Sequence, residues 1–312
     1  MRISRRFAWL NAVAALAVAL ALFPAMEVTA TDQIEINGDG VVHGGFYSDQ
    51  FWASDFDALA AATGTRVTFG GTFHSIDEND GVTGSWSNTR EMLNQVWQGK
   101  ATPFASVTIP DTAAAIARGD HDAKISEWAT HLEQYLSLGG GRAVIIAPLQ
   151  EANGTWTPYA CDPTSFKVAY RRFVDLIRDR GIDETQVRFA FAPNGWTPPG
   201  CGTLADYYPG DAYVDVMGFS GYNGGTCLSG SNWQSVADVV DPYVDELAAI
   251  NATKPIVVAQ TASPRPECGG DQEAWARDLY AHLAADRRVV GVIWFNIDTS
   301  SWGEFDWRIW DG

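Results

Sequence analysis

The sequence predicts a closed (β/α)8 TIM barrel folded as a single domain over residues 31–312, and three observations carry that expectation. Eight short runs rich in Val, Ile and Phe recur along this stretch with little internal alternation, as strands buried on both faces require. Helical patterns separate most of them. No Pro/Ser-rich linker, charge run or low-complexity tract divides the chain. The competing arrangement is a doubly wound open sheet, but no G-x-G-x-x-G follows an early strand.

The elements follow in order. Residues 1–30 read as an export signal: Arg2, Arg5 and Arg6 form a basic head, Ala12 to Phe23 is unbroken apolar sequence, and Val28-Thr29-Ala30 supplies small residues for cleavage. Twelve apolar residues are too few to span a bilayer. Strands are expected at Val41–Phe46, Arg66–Gly70, Pro103–Ile109, Arg142–Pro148, Val187–Ala192, Val214–Phe219, Pro255–Gln260 and Val289–Phe295. Helices are expected at Phe56–Ala62, Arg90–Trp97, Lys124–Leu138, Phe166–Arg178, Trp233–Ile250 and Glu273–Ala285. The segments Tyr47–Trp52, Thr72–Ser87 and Pro110–Asp120 read as loops.

Composition narrows the function. Twenty-one Lys and Arg against 38 Asp and Glu give a formal net charge of −17, which repels phosphate backbones and anionic membrane surfaces. No nucleic-acid partner is expected, and no membrane association once the signal is removed. Thirteen Trp, ten Tyr and fifteen Phe exceed what a core alone absorbs, leaving rings to stack on flat, uncharged ligands such as sugars. Four cysteines, Cys161, Cys201, Cys227 and Cys268, are an even number in a chain read as exported, so two disulfides are expected among three possible pairings. Strand order favours Cys161–Cys201 and Cys227–Cys268, which join adjacent loops. The mature protein is expected to be secreted or otherwise extracytoplasmic, and nothing demands more than a monomer. No metal or cofactor is expected: the five histidines form no ligand motif, and Asp77-Glu78-Asn79-Asp80-Gly81 lacks EF-hand spacing.

In a TIM barrel the carboxyl ends of the strands carry function. Pro148-Leu149-Gln150-Glu151, Ala259-Gln260-Thr261 and Trp294-Phe295-Asn296 are the chemically distinctive ends. Glu151 leads into Asn153-Gly154-Thr155-Trp156, where a carboxyl partly desolvated among rings is suited to donating a proton. Trp156, Trp196, Tyr222, Trp294 and Trp302 all lie at or just after the ends of predicted strands, so loops that converge would gather them into a stacking cleft. His43 and His74 lie near strand ends, with core or surface roles favoured over ligand binding.

These residues resemble glycoside hydrolase family 26, the secreted β-mannanases and related endoglycanases. The resemblance runs from about Ile116 to Trp307. It rests on Ile116-Ala117-Arg118-Gly119-Asp120-His121-Asp122, Pro148 to Trp156, Phe191-Ala192-Pro193-Asn194, Tyr208 to Gly218 with Tyr222-Asn223, Lys254 to Gln260, and Trp294-Phe295-Asn296 with Asp306-Trp307-Arg308-Ile309. It implies a barrel that cleaves a β-1,4-linked polysaccharide with retention, most often as an endo-β-mannanase. By resemblance Glu151 is the acid/base, Tyr222 hydrogen-bonds beside the nucleophile, and Trp156 and Trp294 line the sugar site. Gln150, Asn153 and Asn296 fall in the same matched blocks as substrate-binding positions.

The nucleophile position falls on Gln260. Retention needs two carboxyl groups about 5–5.5 Å apart, one to protonate the leaving oxygen and one to attack the anomeric carbon. Glutamine keeps the shape but brings no negative charge. Gln150 also stands where the family has a His, and Ala147 where an Arg commonly ends the strand. Two functions therefore compete. One is a hydrolase with an unconventional second carboxylate (Glu267, Asp271, Asp298, Glu304 or Asp306), placed about 6.5–9.5 Å from Glu151 for an inverting route. The other is a carbohydrate-binding barrel that keeps the sugar cleft without hydrolysis.

Overall fold

The apolar runs become eight parallel strands that close on themselves in sequence order. The computed structural model describes residues 42–47, 52–64, 66–77, 86–228, 230–302 and 305–310. The proposed signal, residues 1–30, lies outside them. The strands are β1 (His43–Tyr47), β2 (Phe69–Ser75), β3 (Thr102–Thr108), β4 (Val144–Pro148), β5 (Val187–Phe191), β6 (Val216–Tyr222), β7 (Ile256–Ala262) and β8 (Val289–Phe295). Each pairs with the next, and β8 pairs with β1, so no edge remains open. The chain is thus a (β/α)8 barrel, as expected.

Helices α1 (Ala53–Thr63), α2 (Trp86–Gln98), α3 (Ala113–Arg118), α4 (Asp122–Leu136), α5 (Pro163–Arg178), α6 (Leu204–Tyr207), α7 (Val236–Ile250) and α8 (Gln272–Ala285) surround it. Their starts are written locally. Asp162 accepts from the Ser165 amide with Pro163 in the first turn of α5, Ser235 and Asp238 close a capping box on α7, and Asp271 accepts from the Ala274 amide on α8. The short α3 and α6 lie in segments without a helical expectation.

Alternation along the strands divides the core into an outer and an inner layer. Outward residues meet the helices: Phe46 packs on Phe56 of α1, Phe219 on Tyr243 of α7, and Trp294 on Trp275 of α8, with ring centroids 5.2, 5.5 and 6.0 Å apart. Inward residues fill the lumen. Tyr47 is fully buried, stacks on Phe73 at 4.7 Å and lies 6.0 Å from Phe295. Gly71 makes room for it, since a Cβ there would come within 2.4 Å of the Tyr47 ring.

Both disulfides form in the pairing that strand order favoured. Cys161–Cys201 ties the loop after β4 to the loop after β5, and Cys227–Cys268 ties the loop after β6 to the loop after β7. Among the described residues no helix is long and apolar enough to cross a membrane.

Candidate active site

The loop after β4 turns sharply at its start. Leu149 and Glu151 both adopt left-handed φ values, 54° and 57°, a conformation seldom taken by residues other than glycine. Backbone hydrogen bonds hold the turn, from Leu149 N to Val107 O at 2.8 Å and from Glu151 N to Ala192 O at 2.9 Å. Non-glycine residues held in this region store backbone strain and cluster at functional sites.

The Glu151 carboxylate is held from two sides. Trp156 Nε1 donates to Oε2 at 2.8 Å, and Asn194 Nδ2 donates to Oε1 at 3.1 Å. Trp156 reaches back only because residue 154 is glycine, whose added Cβ would lie 2.4 Å from the indole. Asn153 is fully buried. Its Nδ2 donates to Asn194 O and Thr197 Oγ1, both at 2.7 Å, and its Oδ1 accepts from Asn194 N at 2.8 Å. Asn153 therefore fastens the two loops to each other and offers little to a ligand.

Gln260 lies on β7, 5% exposed, with its Oε1 accepting from the Tyr222 hydroxyl at 2.8 Å. Tyr222 stands edge-on to Phe295 at 5.8 Å and packs against Trp307 at 5.3 Å. Asn194 pairs with Ser220, and Ser220 pairs with Gln260, so the Asn194 and Gln260 backbones are two strand spacings apart, about 10 Å. The structure thus brings Glu151, Trp156, Tyr222 and Gln260 to one end of the barrel. Ala147 is fully buried and pairs with Ser106 on the inner wall. Gln150 Oε1 and Ser220 Oγ are buried without a hydrogen-bond partner.

Two expected sugar contacts lie elsewhere. Trp294 is 3% exposed, meets Trp275 edge-on outside the barrel and donates from Nε1 to Trp307 O at 3.1 Å, so it does not line the cleft. The inward ring of β8 is its neighbour Phe295, because successive strand residues face opposite sides. Asn296 is 6% exposed and spends its polar atoms on the chain's end: Oδ1 accepts from Ile309 N and Trp310 N, and Nδ2 donates to Trp310 O. His74 also belongs to the core, fully enclosed and bonded to Thr72 and Thr89.

Three of the five candidate second carboxylates are already engaged. Asp271 caps α8. Arg308 donates to both Asp298 and Asp306, and Arg265 adds an ion pair to Asp306. Burial opposes ionisation of Asp306, yet the Arg308 bonds hold its carboxyl below the ordinary range. Hydrogen bonding from Ser300 does the same for Asp298. Glu267 sits in a one-turn 3-10 helix, Pro266–Cys268. Glu304 and the Trp302 side chain lie outside the described residues.

Asn194, which holds Glu151, was not among the expected site residues, although its place after Pro193 at a strand end is a usable signal. Tyr47, Phe73, Ser106, Ser220 and Phe295 give no such signal, because their inward facing depends on strand register.

A barrel whose strand ends gather a hydrogen-bonded glutamate and exposed indoles has the plan of a glycoside hydrolase. Comparison with known proteins makes the assignment specific: the chain belongs to glycosyl hydrolase family 26, whose sequence pattern matches residues 84–285. It is 34% identical over 203 residues to Endoglucanase H of Acetivibrio thermocellus, a stretch covering 62% of this chain and 21% of that protein. It is 36% identical over 86 residues to a mannan endo-1,4-beta-mannosidase of Bifidobacterium adolescentis, covering 26% and 8% respectively. The chain therefore spans only a small part of the curated relatives it matches. A GH26 β-mannanase from Bacteroides ovatus superposes with a TM-score of 0.61 at 16% identity, covering 90% of this chain and 84% of that one. A β-mannanase from a symbiotic protist of the termite Reticulitermes speratus, solved with gluco-manno-oligosaccharide, gives 0.59 at 17%, covering 87% and 84%. At these identities the structural likeness establishes the fold.

Proposed function

We propose that residues 31–312 form an exported, monomeric barrel domain that grips a β-1,4-linked polysaccharide of the mannan type, with Glu151 as the proton donor at the scissile bond. One observation carries this reading: the Glu151 carboxylate, fixed by Trp156 and Asn194, shares a barrel end with the Tyr222–Gln260 pair. The indole of Trp156 covers a sugar face, Gln150 supplies a free buried acceptor, and Glu151 protonates the leaving oxygen. Asn153 and Asn194 position this constellation. Two disulfides suit an oxidising compartment, in keeping with residues 1–30 as an export signal.

Hydrolysis also needs negative charge opposite the acid, and Gln260 provides none. A second reading follows, a barrel that binds the glycan and cleaves it slowly or not at all. The engagement of Asp271, Asp298 and Asp306 with caps and arginines favours it. Incubation with manno-, gluco- and xylo-oligosaccharides followed by product analysis separates the two. Cleavage that disappears in Glu151→Ala establishes a working hydrolase and sinks the binding-only reading. An inert wild type that gains cleavage in Gln260→Glu locates the lesion at the nucleophile position. Absence of retardation by any soluble β-1,4-glycan in affinity electrophoresis overturns the glycan reading altogether.

A further inference from the structure

Two of the most exposed large rings in the described protein stand side by side on the rim. Trp156 is 48% exposed and Trp196 is 58% exposed; their planes lie within 12° of parallel, with ring centroids 6.4 Å apart. Exposed indoles on a soluble protein cost solvation, so a parallel pair held rigidly calls for a ligand. These two are held rigidly. The loops that carry them are joined by Cys161–Cys201 and by the three hydrogen bonds of Asn153. Both are also wired to the same carboxylate. Trp156 donates to Glu151 Oε2 directly, while the Trp196 amide donates to Asn194 Oδ1 at 2.9 Å and Asn194 Nδ2 donates to Glu151 Oε1.

Resting on the glycan reading of the trough, we infer that Trp156 and Trp196 form one preorganised stacking platform, and that Trp196 is a specificity-determining residue that holds the pyranose units on the leaving-group side of the bond beside Glu151. A proton donor lies alongside the departing oxygen, so rings anchored to that donor hold the sugars that depart. The occupant is a β-1,4-linked pyranose chain, whose apolar C–H faces cover an indole while its hydroxyl edges stay in water. Fixing the rings in advance removes the ordering cost of binding, which makes the platform a device for reading chain length.

Calorimetric titration of the intact protein with β-1,4-linked manno-, gluco- and xylo-oligosaccharides, from disaccharide to hexasaccharide, tests this, with product analysis alongside to exclude cleavage during the titration. Wild-type affinity is expected to climb with length. Trp196→Ala should flatten the climb, weakening the hexasaccharide about tenfold while leaving the disaccharide unchanged, and Trp196→Phe should restore most of the gain. A Trp196→Ala protein that matches wild type at every length overturns the platform and leaves the glycan reading standing. Trp196-dependent binding of the gluco or xylo series alone keeps the platform and removes mannan. No binding of any series by the wild type overturns both.

Discussion

His74 shows what burial does to a titratable side chain in this barrel. It lies on β2 next to the inward Phe73, is 1% exposed, and among the described residues finds its partners in the hydroxyls of Thr72 (2.7 Å) and Thr89 (3.1 Å). Enclosure without an anionic partner disfavours the imidazolium and pushes the ring down from 6.5 to about 3. The unfolded chain therefore binds a proton that the folded chain refuses between those two values, and stability falls as pH drops below 6.5. From pH 6.5 to pH 5 the loss is about 2 kcal/mol for this residue alone. His74→Gln keeps two polar atoms but cannot titrate. Thermal unfolding at pH 7 and pH 5 should show the gap between wild type and variant closing, or reversing, at the lower pH. A gap that stays constant excludes His74 as the source. The same residue scale governs Glu151, whose left-handed backbone and two donors fix its position before any ligand arrives.

At the scale of elements, β8 and the segment after it explain why a site residue can be misassigned one position along a strand. Trp294 and Phe295 are adjacent rings at a strand end, and only register decides which enters the lumen. That register is set against β7, whose pairing with β6 slips between Phe219 and Ser220 and with β8 slips twice, so counting along an apolar run does not give the facing. Beyond it, Asn296 anchors residues 309 and 310 through three hydrogen bonds of 2.7 to 3.0 Å. At about 1 kcal/mol net for each bond, Asn296→Ala should lower stability by about 3 kcal/mol, read by denaturant unfolding, while the folded protein keeps its glycan affinity. Lost affinity with unchanged stability would return Asn296 to the sugar site. Most elements were legible: β3, β4, β5 and β8 and the longer helices overlap their predicted spans, because buried apolar runs and capping residues are local signals. The carboxyl ends of β2, β6 and β7 were not. Thr72, Ser75, Ser220 and Thr261 interrupt the apolar pattern where the barrel builds its lumen and mouth, so the sequence reads as loop or turn where the backbone is still paired. Glu151, Tyr222 and Gln260 were legible because their blocks resemble the family. Asn194 and Phe295 depend on contacts between strands distant in sequence.

Across the whole molecule, charge is sorted by depth. The chain carries a net charge of −17, yet the upper lumen is built from Tyr47, Phe73, Ser106, Ala147, Ser220, Gln260 and Phe295, none of them ionised at neutral pH. Burial drives the Tyr47 hydroxyl upward, the Ser106 contact works against that rise, and the Glu151 charge adds to it. In the proposed reading, Gln260 leaves the barrel neutral at the position where a retaining glycosidase carries its nucleophile, and that neutrality bears on stability as much as on chemistry. Gln260→Glu places a carboxyl at a site 5% exposed among rings, with the Tyr222 hydroxyl as its one identified donor. Desolvation raises the folded-state pKa of that new carboxyl above its unfolded value. The folded protein then binds the proton more tightly than the unfolded chain, so the variant loses stability as pH rises through about 4.3 and upward. Unfolding measured at pH 4 and pH 7 should show the variant close to wild type at the acid end and destabilised by about 1–3 kcal/mol at neutrality. Equal stability at both values would mean that water or further donors already solvate position 260. The cleft would then be open enough to serve a nucleophile, and the substitution would restore charge without penalty. The opposite outcome, a neutral-pH penalty together with new cleavage, would identify the amide as a trade of catalysis for a more stable lumen.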